Sequence, residues 1–368
     1  MNVSLKPAQF AGAEAKRAQA FGGRHLLLQV NPVQYPGWDS LLHAHPDRCV
    51  FHTAAWARVL TETYGHEPAY FTHFYGGELA GLLPVMKVSS LFVGARAVSL
   101  PFTDYCPALF GPDCYQNELY KLALQWSRAA GCRFIEFRGN GNGMPGATPS
   151  LVFYGHIVDL NGGAGRAWER LDPAVRRGVR KAKEAGVDVK FSTEEEAVRE
   201  FYRLHCKTRR RHGLPPQPYS FFRNIAAHIL QHGLGVVATA NWEGRAIAAA
   251  IFLWFGRRAV YKYGASDYAF QHLRPNNLVM WQAIEWLAER RYESLHLGRT
   301  SRGNEGLRRF KQGFGAVEET IAYYKFDVVQ NCFVRDVDRA LGWYNSVFRR
   351  LPVPVLRLVG TLLYKHIS

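Results

Sequence analysis

The sequence predicts an α/β (α+β) fold in two tandem domains, each a mixed, largely antiparallel sheet flanked by helices. Three observations predict it. At 368 residues the chain has the length of about two domains. Hydrophobic residues make up 48% and aromatic residues 14%, enough apolar side chain to build a core in each. Segments with helical period also alternate with segments of strand composition. They do so on both sides of GNGNGMPGATPS, a Gly/Pro/Ser-rich stretch that ends at Ser150. The expected divisions are a leader at 1–24, a first domain at 25–160, a second at 161–335 and a basic amphipathic segment at 336–368.

The elements follow in order. Residues 1–24 read as a loose or weakly helical leader, and HLLLQV (25–30) as the first strand. In 51–65, Trp56, Val59, Leu60 and Thr63 share a helical face, with Thr53 as N-cap. Residues 68–90 read as a hairpin around Gly76-Gly77, and 96–102 as a short strand entering the turn-rich TDYCPALFG. A helix over 117–131 and a strand over 132–138 complete the first half. The second half opens with a basic helical region, 166–186, in which Pro173 starts a second helix. A long helix follows over 193–213, with Thr193 as N-cap and Glu196 completing a capping box. Then come a helix at 220–233, three strands over 234–266 joined by the turns WEGR and FGRR, a helix at 276–292, and strands at 294–300 and 319–327.

The formal net charge is +16, which favours polyanionic partners: RNA, anionic lipid head groups or phosphate-bearing substrates. Charge does not choose among them, and a basic soluble surface is the plainer reading. The six cysteines are scattered, with no C-x-x-C pair and no zinc-like spacing with histidine. That pattern suits a reduced cytosolic compartment. Neither a secretory h-region nor an apolar run of about 18 residues occurs, so a signal peptide and a spanning helix are not expected. Segment 348–368 mixes Leu and Val with Arg349, Arg350, Arg357, Lys365 and His366. It reads either as a helix lying on anionic lipid or as one packed onto the second domain.

Several residues carry candidate chemistry. Arg176, Arg180 and Lys183 fall at i, i+4 and i+7, a stripe that suits phosphate and also reads as a solvated face. A second basic cluster, KTRRRHG (207–213), sits at a helix C-terminus, where cations suit the macrodipole. RGNGNG (138–143) matches the R/Q-x-x-G-x-G/A phosphate-loop string. No helix follows it, so it reads as a coincidence. Asn276 or Asn277 can cap its helix and leave backbone N–H groups for a phosphate. Tyr261 and Tyr263 alternate on a strand and are expected to share a face, with Tyr263 preferred as site-lining beside the GAS turn. Arg299 at a strand end suits a phosphate or carboxylate. No Ser/His/Asp or Cys/His arrangement points to a covalent acyl-enzyme, and no metal constellation is visible.

Taken together, FHTAAWARVLTETYGH, LPFTDYCPALFG, AVRRGVRKAKEAGV, FYRLHCKTRRRHGLPP, VYKYGASD, PNNLVMWQAIEWL, LHLGRT and GLRRFKQGFGA resemble the FemAB family, in order and over most of the chain. The likeness is to its exosortase- and exopolysaccharide-associated type. The resemblance implies two tandem domains of the GNAT acyltransferase fold. It implies direct transfer of an acyl or aminoacyl group from acyl-CoA or aminoacyl-tRNA, as co-substrate, to an amine of an envelope or exopolysaccharide precursor. The protein would be cytoplasmic, either free or peripheral on the inner membrane face, with no tightly bound cofactor and no metal. Phe310-Lys311 resembles the family's Phe-Lys pair, which implies that Lys311 stabilises transition-state charge. The loop carrying Asp104 and Tyr105 resembles the acceptor loop; Asp104 would take or hold the amine proton and Tyr105 would position the acceptor. Asp104 before Pro107 is also ordinary turn chemistry. The phosphate-loop glycines expected after VYKYGASD are missing, which puts CoA in doubt. Alternative readings are a non-catalytic RNA- or membrane-surface-binding protein on a GNAT scaffold, and an acetyl-CoA-dependent amino-sugar N-acetyltransferase.

Overall fold

Turn and cap chemistry sets most of the element ends. Thr53 Oγ1 accepts from the Trp56 N–H at 3.2 Å and starts a helix whose Trp56, Val59 and Leu60 are fully buried. Gly76-Gly77 closes a hairpin in which Tyr75 faces Glu78. Asp172 accepts from the Ala174 N–H at 2.6 Å, and Pro173 takes the first helical position behind it.

The computed structural model describes residues 18–21, 24–90, 93–139, 144, 146–336, 338 and 344–366. It divides into two units. Unit one is Met1–Val152 with Ile321–Val337 and Lys365–Ser368, and unit two is Phe153–Thr320 with Asp338–Tyr364.

Unit one holds β1 (Ala18–Phe21), β2 (His25–Val30), α1 (Trp38–Leu42), α2 (Ala54–Tyr64), β3 (Glu67–Pro68), β4 (Tyr70–Tyr75), β5 (Glu78–Leu83), β6 (Met86–Ser90), β7 (Gly94–Val98), β8 (Leu109–Phe110), α3 (Gln116–Ala129) and β9 (Cys132–Arg138). One sheet runs β1-β2-β4-β5-β8, antiparallel throughout. In the other, β3, β6 and β7 pair antiparallel, and β7 pairs parallel with β9. Leu27, Phe71, Leu83, Leu119 and Ile135 lie in its core. Residues 18–21 correct the expectation of a loose or helical leader, since they pair with 25–28 as a strand. The rest of that expectation, at 1–17, lies outside the described residues, as do Gly141 and Gly143 of the RGNGNG string.

Unit two holds β10 (Leu151–Asp159), α4 (Gly163–Glu169), α5 (Pro173–Glu184), β11 (Asp188–Ser192), α6 (Glu195–His212), α7 (Tyr219–His228), β12 (Gly235–Trp242), β13 (Arg245–Phe255), β14 (Arg258–Ser266), α8 (Pro275–Glu289), β15 (Ser294–His296), β16 (Thr300–Ser301), α9 (Glu305–Gln312), the start of β17 (Val317–Asp327), α10 (Tyr344–Arg350) and α11 (Val353–Leu363). The sheet order β11-β12-β13-β14-β15-β10 is antiparallel except at β14-β15, which pair in parallel. Buried α8 residues, Leu278, Trp281, Ile284 and Leu287, join Ile247, Ala248 and Phe252 of β13 in the main core. α10 and α11 dock on the end of α6: Asn345 Nδ2 donates to the Gly213 carbonyl at 2.9 Å, and Tyr364 Oη to that of Pro215 at 3.2 Å.

Both unit boundaries differ from the sequence-based ones at 160 and 335. The reason is β17. Its Tyr323–Asp327 half pairs antiparallel with β9, and β18 (Cys332–Val334) pairs back on it, so 321–337 belong with unit one.

The α6 cap also differs. The helix begins at Glu195 with Glu194 as N-cap and no side-chain cap bond, while Ser192 Oγ accepts from the Glu194 N–H at 3.1 Å. Thr193 therefore contributes no cap. Asp172→Ala is expected to lower stability by about 1 kcal/mol. Thr193→Ala should stay within about 0.5 kcal/mol. Urea unfolding of the two variants checks the pair.

Candidate active site

β14 and β15 run parallel for three pairs, Arg258–Val260 against Ser294–His296. There they part. β15 ends, and the chain turns through Gly298 in the left-handed region at φ 74°. β14 continues six residues further, paired on its β13 side only. Two parallel strands that diverge leave backbone N–H and C=O groups facing the gap.

The turn is held by a charge. Lys311 is 3% exposed, and its Nζ donates to the carbonyls of Gly298 and Arg299, both at 2.9 Å. An ammonium is stable at this depth only with such acceptors. The Arg299 guanidinium stacks over Phe153 at 4.4 Å. α9 is fixed further by Asn304, which accepts from the Leu307 N–H at 3.1 Å, and by the Arg308 fork on Glu318 at 2.7 and 3.0 Å.

Beyond the parting point lies a cleft of about 260 Å³. Its floor is small: Ala249 and Ala250 of β13, Gly264 and Ala265 of β14. Tyr261, Asn276, Met280 and Phe310 make the walls, and Thr208, Arg211 and His212 at the C-terminal end of α6 make a polar rim. The Tyr261 hydroxyl occupies the space a Cβ at Gly264 would need. Burial pushes this phenol up to about 12, so it stays protonated and can donate. Ser266 is tied down from both sides: its N–H donates to Thr208 Oγ1 at 2.9 Å, and its Oγ accepts from Gln271 at 2.9 Å and Asn276 at 3.4 Å. α8 starts at Pro275 after Arg274, a non-glycine residue in the left-handed region at φ 59°.

The two tyrosines do not share a face. A β-bulge shifts the register, so that Ile251 faces Tyr263 and its neighbour Phe252 faces Tyr261. Tyr261 lines the cleft. Tyr263 packs among Phe201, His205, Phe221 and Phe222 of α6 and α7. The alternation drawn from the sequence fails here because Lys262 is the extra residue of the bulge.

The basic stripe also separates from the cleft. On α5, Gly178 lies against Asn277 of α8: a Cβ there would meet the Asn277 side chain at 3.1 Å. Positions two residues either side of Gly178 are turned by about 200° at 100° per residue. Arg176 and Arg180 therefore look away from α8, and Arg180 and Lys183 are exposed. Of the sequence candidates in unit two, the cleft gathers Asn276 and Phe310 along its wall. Tyr263, Arg299, Asn277, Lys311 and the stripe are not among its lining residues. Sequence reading had Tyr261 only as the partner of the preferred Tyr263, Gly264 only within the GAS turn, and gave Thr208 no role. It had the Arg211-His212 pair in hand but read it as a helix end suiting the macrodipole.

Asp104 and Tyr105 sit in unit one on a loop built around a buried arginine. Arg138 is 6% exposed, donates to Glu136 at 2.7 Å and to the carbonyls of Leu100 and Thr103 at 3.4 and 3.3 Å, and stacks over Tyr323 at 5.3 Å. Tyr323 Oη donates to the Asp104 carbonyl at 2.6 Å, and Tyr105 meets the edge of Phe51. Leu100 and Phe102 are held in the left-handed region at φ 58° and 60°. Such strain costs about 1–3 kcal/mol each. His52 closes the far end, donating from Nε2 to the Pro107 carbonyl at 2.9 Å while its Nδ1 accepts from the Cys49 N–H at 3.0 Å. Among the described residues no group of three His, Cys, Asp or Glu side chains could hold a metal, and no cysteine pair forms a disulfide.

Residues 170–312 match the model of a GNAT acetyltransferase domain. Among solved structures the chain is similar to a crystal structure of FemX (TM-score 0.62, 14% identity, covering 77% of this chain and 94% of that one). It is also similar to L-PGS from Bacillus licheniformis (0.54, 13%, 91% and 98%). A third is a tandem GNAT protein from the clavulanic acid biosynthesis pathway (0.51, 11%, 83% and 98%). At these identities the likeness is one of fold: mixed α/β, in tandem GNAT-like domains. Curated protein sequences yielded no match.

Burial holds the imidazoles of His52, His66 and His156 down at about 4 and that of His205 at about 3, against an ordinary 6.5. The unfolded chain therefore takes up protons first. The stability these neutral rings supply is complete above about pH 6.5 and is lost as pH falls through that value toward 4. The melting temperature should drop between about pH 7 and pH 5 by calorimetry, and drop less in His205→Leu. A rise on acidification would contradict the assignment.

Proposed function

We propose that the chain is an N-acyltransferase that moves an acyl group from a thioester, acyl-CoA, directly onto an amine. The observation that carries this reading is the parting of β14 and β15 above a floor of Ala and Gly. An extended donor arm bearing amides can pair with the free edge of β14, and its thioester then lies along the Tyr261 side of the cleft. The GNAT domain match over 170–312 supports the same reaction class.

The chemistry needs few groups. A neutral amine attacks the thioester carbonyl, the C–N bond forms, and an oxyanion develops. Collapse then breaks the C–S bond and releases a thiolate that needs a proton. Tyr261, protonated and facing the cleft, is placed to give it, and the proton that the attacking nitrogen sheds as the amide forms restores the phenol. Lys311 holds the end of β15 and with it α9 and Phe310, and its charge lies at the mouth of the parting. Thr208, Arg211, His212 and the start of α8 at Asn276 are the donor-phosphate contacts in this reading. Asp104 and Tyr105 are proposed to contact the amine-bearing acceptor. The FemAB resemblance favours an envelope or exopolysaccharide precursor as its source.

A second reading takes aminoacyl-tRNA as donor. The feature that favours it is the outward stripe of Arg176, Arg180 and Lys183 on a chain of net charge +16. Thermal-shift titration with acetyl-CoA, longer acyl-CoAs and charged or uncharged tRNA separates the two. Stabilisation grows with ligand concentration over its dissociation constant. An acyl-CoA shift supports the first reading, and a shift with charged tRNA alone replaces it by the second.

With the donor in hand, Tyr261→Phe is expected to lower kcat by about 10²-fold with little change in donor KM. Gly264→Ala should raise donor KM by crowding the Tyr261 hydroxyl. Lys311→Met should lower kcat at least ten-fold, and Lys311→Arg should restore part of it. Steady-state kinetics with the fold checked by circular dichroism reads all three.

A further inference from the structure

α11 has two faces of unlike chemistry. One is seated. Leu356 and Gly360 are buried, and a Cβ on Gly360 would collide with the Pro216 carbonyl. The other is bare. Val355, Leu358 and Leu362 are 43, 61 and 57% exposed, at i, i+3 and i+7 on one stripe, and Val347 of α10 adds 48%. Among the described residues, Leu358 and Leu362 are the leucines exposed to this degree.

The charged side chains of this C-terminal stretch have one sign. From Arg339 to the last residue given, the sequence carries Arg339, Arg349, Arg350, Arg357 and Lys365, and no Asp or Glu. Arg349, Arg350 and Arg357 are exposed, and Arg357 also lies over the Tyr202 ring at 5.3 Å. An aliphatic stripe whose own segment carries cations and no carboxylate side chain complements a surface that is apolar below and anionic above. A second copy of this chain would bring the same positive charge to the contact. The 11-residue helix rises about 16 Å at 1.5 Å per residue, about half a bilayer core. No described helix is long and apolar enough to cross a membrane, so the geometry is that of a helix lying in the interface plane.

We propose that the exposed face of α10 and α11 seats the protein on an anionic lipid bilayer. Val355, Leu358 and Leu362 enter the acyl boundary, and Arg349 and Arg350 lie among the head groups. The proposal goes beyond the transfer reaction and does not rest on which donor is used, because its readout is binding rather than turnover.

The test is flotation of the full chain with vesicles of phosphatidylglycerol in phosphatidylcholine and with phosphatidylcholine alone, at low and high salt. Binding to the anionic vesicles, weakened by salt, is expected. Leu358→Glu/Leu362→Glu should weaken it at least ten-fold. Arg349→Gln/Arg350→Gln should weaken it by about five-fold per charge. Val329→Glu, at an exposed apolar site in unit one, should bind as the wild type does. If the double glutamate variant misfolds, Leu358→Ala/Leu362→Ala gives the graded version, with a smaller loss expected. Absence of binding to anionic vesicles overturns the proposal, as does wild-type binding by the folded leucine variants. A wild-type dimer that the glutamate variant splits would assign the face to a second copy and overturn it too.

Discussion

A single buried ammonium organises the second unit. Lys311 offers its charge to two successive carbonyls, Gly298 and Arg299, at the point where β15 stops following β14. Those carbonyls would otherwise seek ladder partners or water. With the lysine in place the chain turns away toward β10, where Thr300 and Ser301 pair with Tyr154 and Phe153. β15 is drawn to β10 just ahead of the turn, where the Leu297 N–H donates to the His156 carbonyl at 2.8 Å. The lysine contact ties α9, and Phe310 with it, to the turn beside the cleft.

Unit one solves a comparable problem with Arg138. A loop of the composition Leu100-Pro101-Phe102-Thr103 does not settle into two left-handed residues unaided. The guanidinium collects the carbonyls of Leu100 and Thr103 and is itself compensated by Glu136, with the Asp104 charge adding to its stabilisation. Burying an unpaired guanidinium would be costly; burying one with a carboxylate and two carbonyls fixes a strained path. In both units a cation at the end of a strand shapes the irregular backbone beside it.

What the sequence made legible was local. Pro173 behind Asp172, the turns at Trp242–Arg245 and Phe255–Arg258, and the capped helix at Thr53 depend on neighbours a few residues away, and all are found as expected. The Asn276 and Phe310 positions were also readable, one as a helix start and the other from a motif. The illegible part was set by partners distant in sequence. The Lys262 bulge exists because β13 sets the register of β14. The return of 321–337 to unit one exists because β9 leaves an edge open for it. The two carbonyls that hold Lys311 arrive from a turn a dozen residues away. Periodicity within one segment carries no record of any of these.

The bulge at Lys262 also makes β14 unusual as a target for sequence change. In a regular strand, substitution is the mild event and loss of one residue the severe one, because every side chain beyond the loss changes face. Here one surplus residue separates a wall of the cleft from a wall of the aromatic core. Removing Lys262 alone would bring Tyr261 and Tyr263 into adjacent positions of an unbroken ladder. Side chains on both sides of the cut would keep their faces, since Tyr261 opposite Phe252 and Tyr263 opposite Ile251 already alternate as neighbours in such a ladder do. What would be lost is the local bend and twist that the extra residue adds. Substitutions at Lys262 leave that frame intact. The surplus residue thus sets the bend of β14 rather than its facing, and loss of a paired residue of the strand, not of Lys262, is the event that would exchange the two walls.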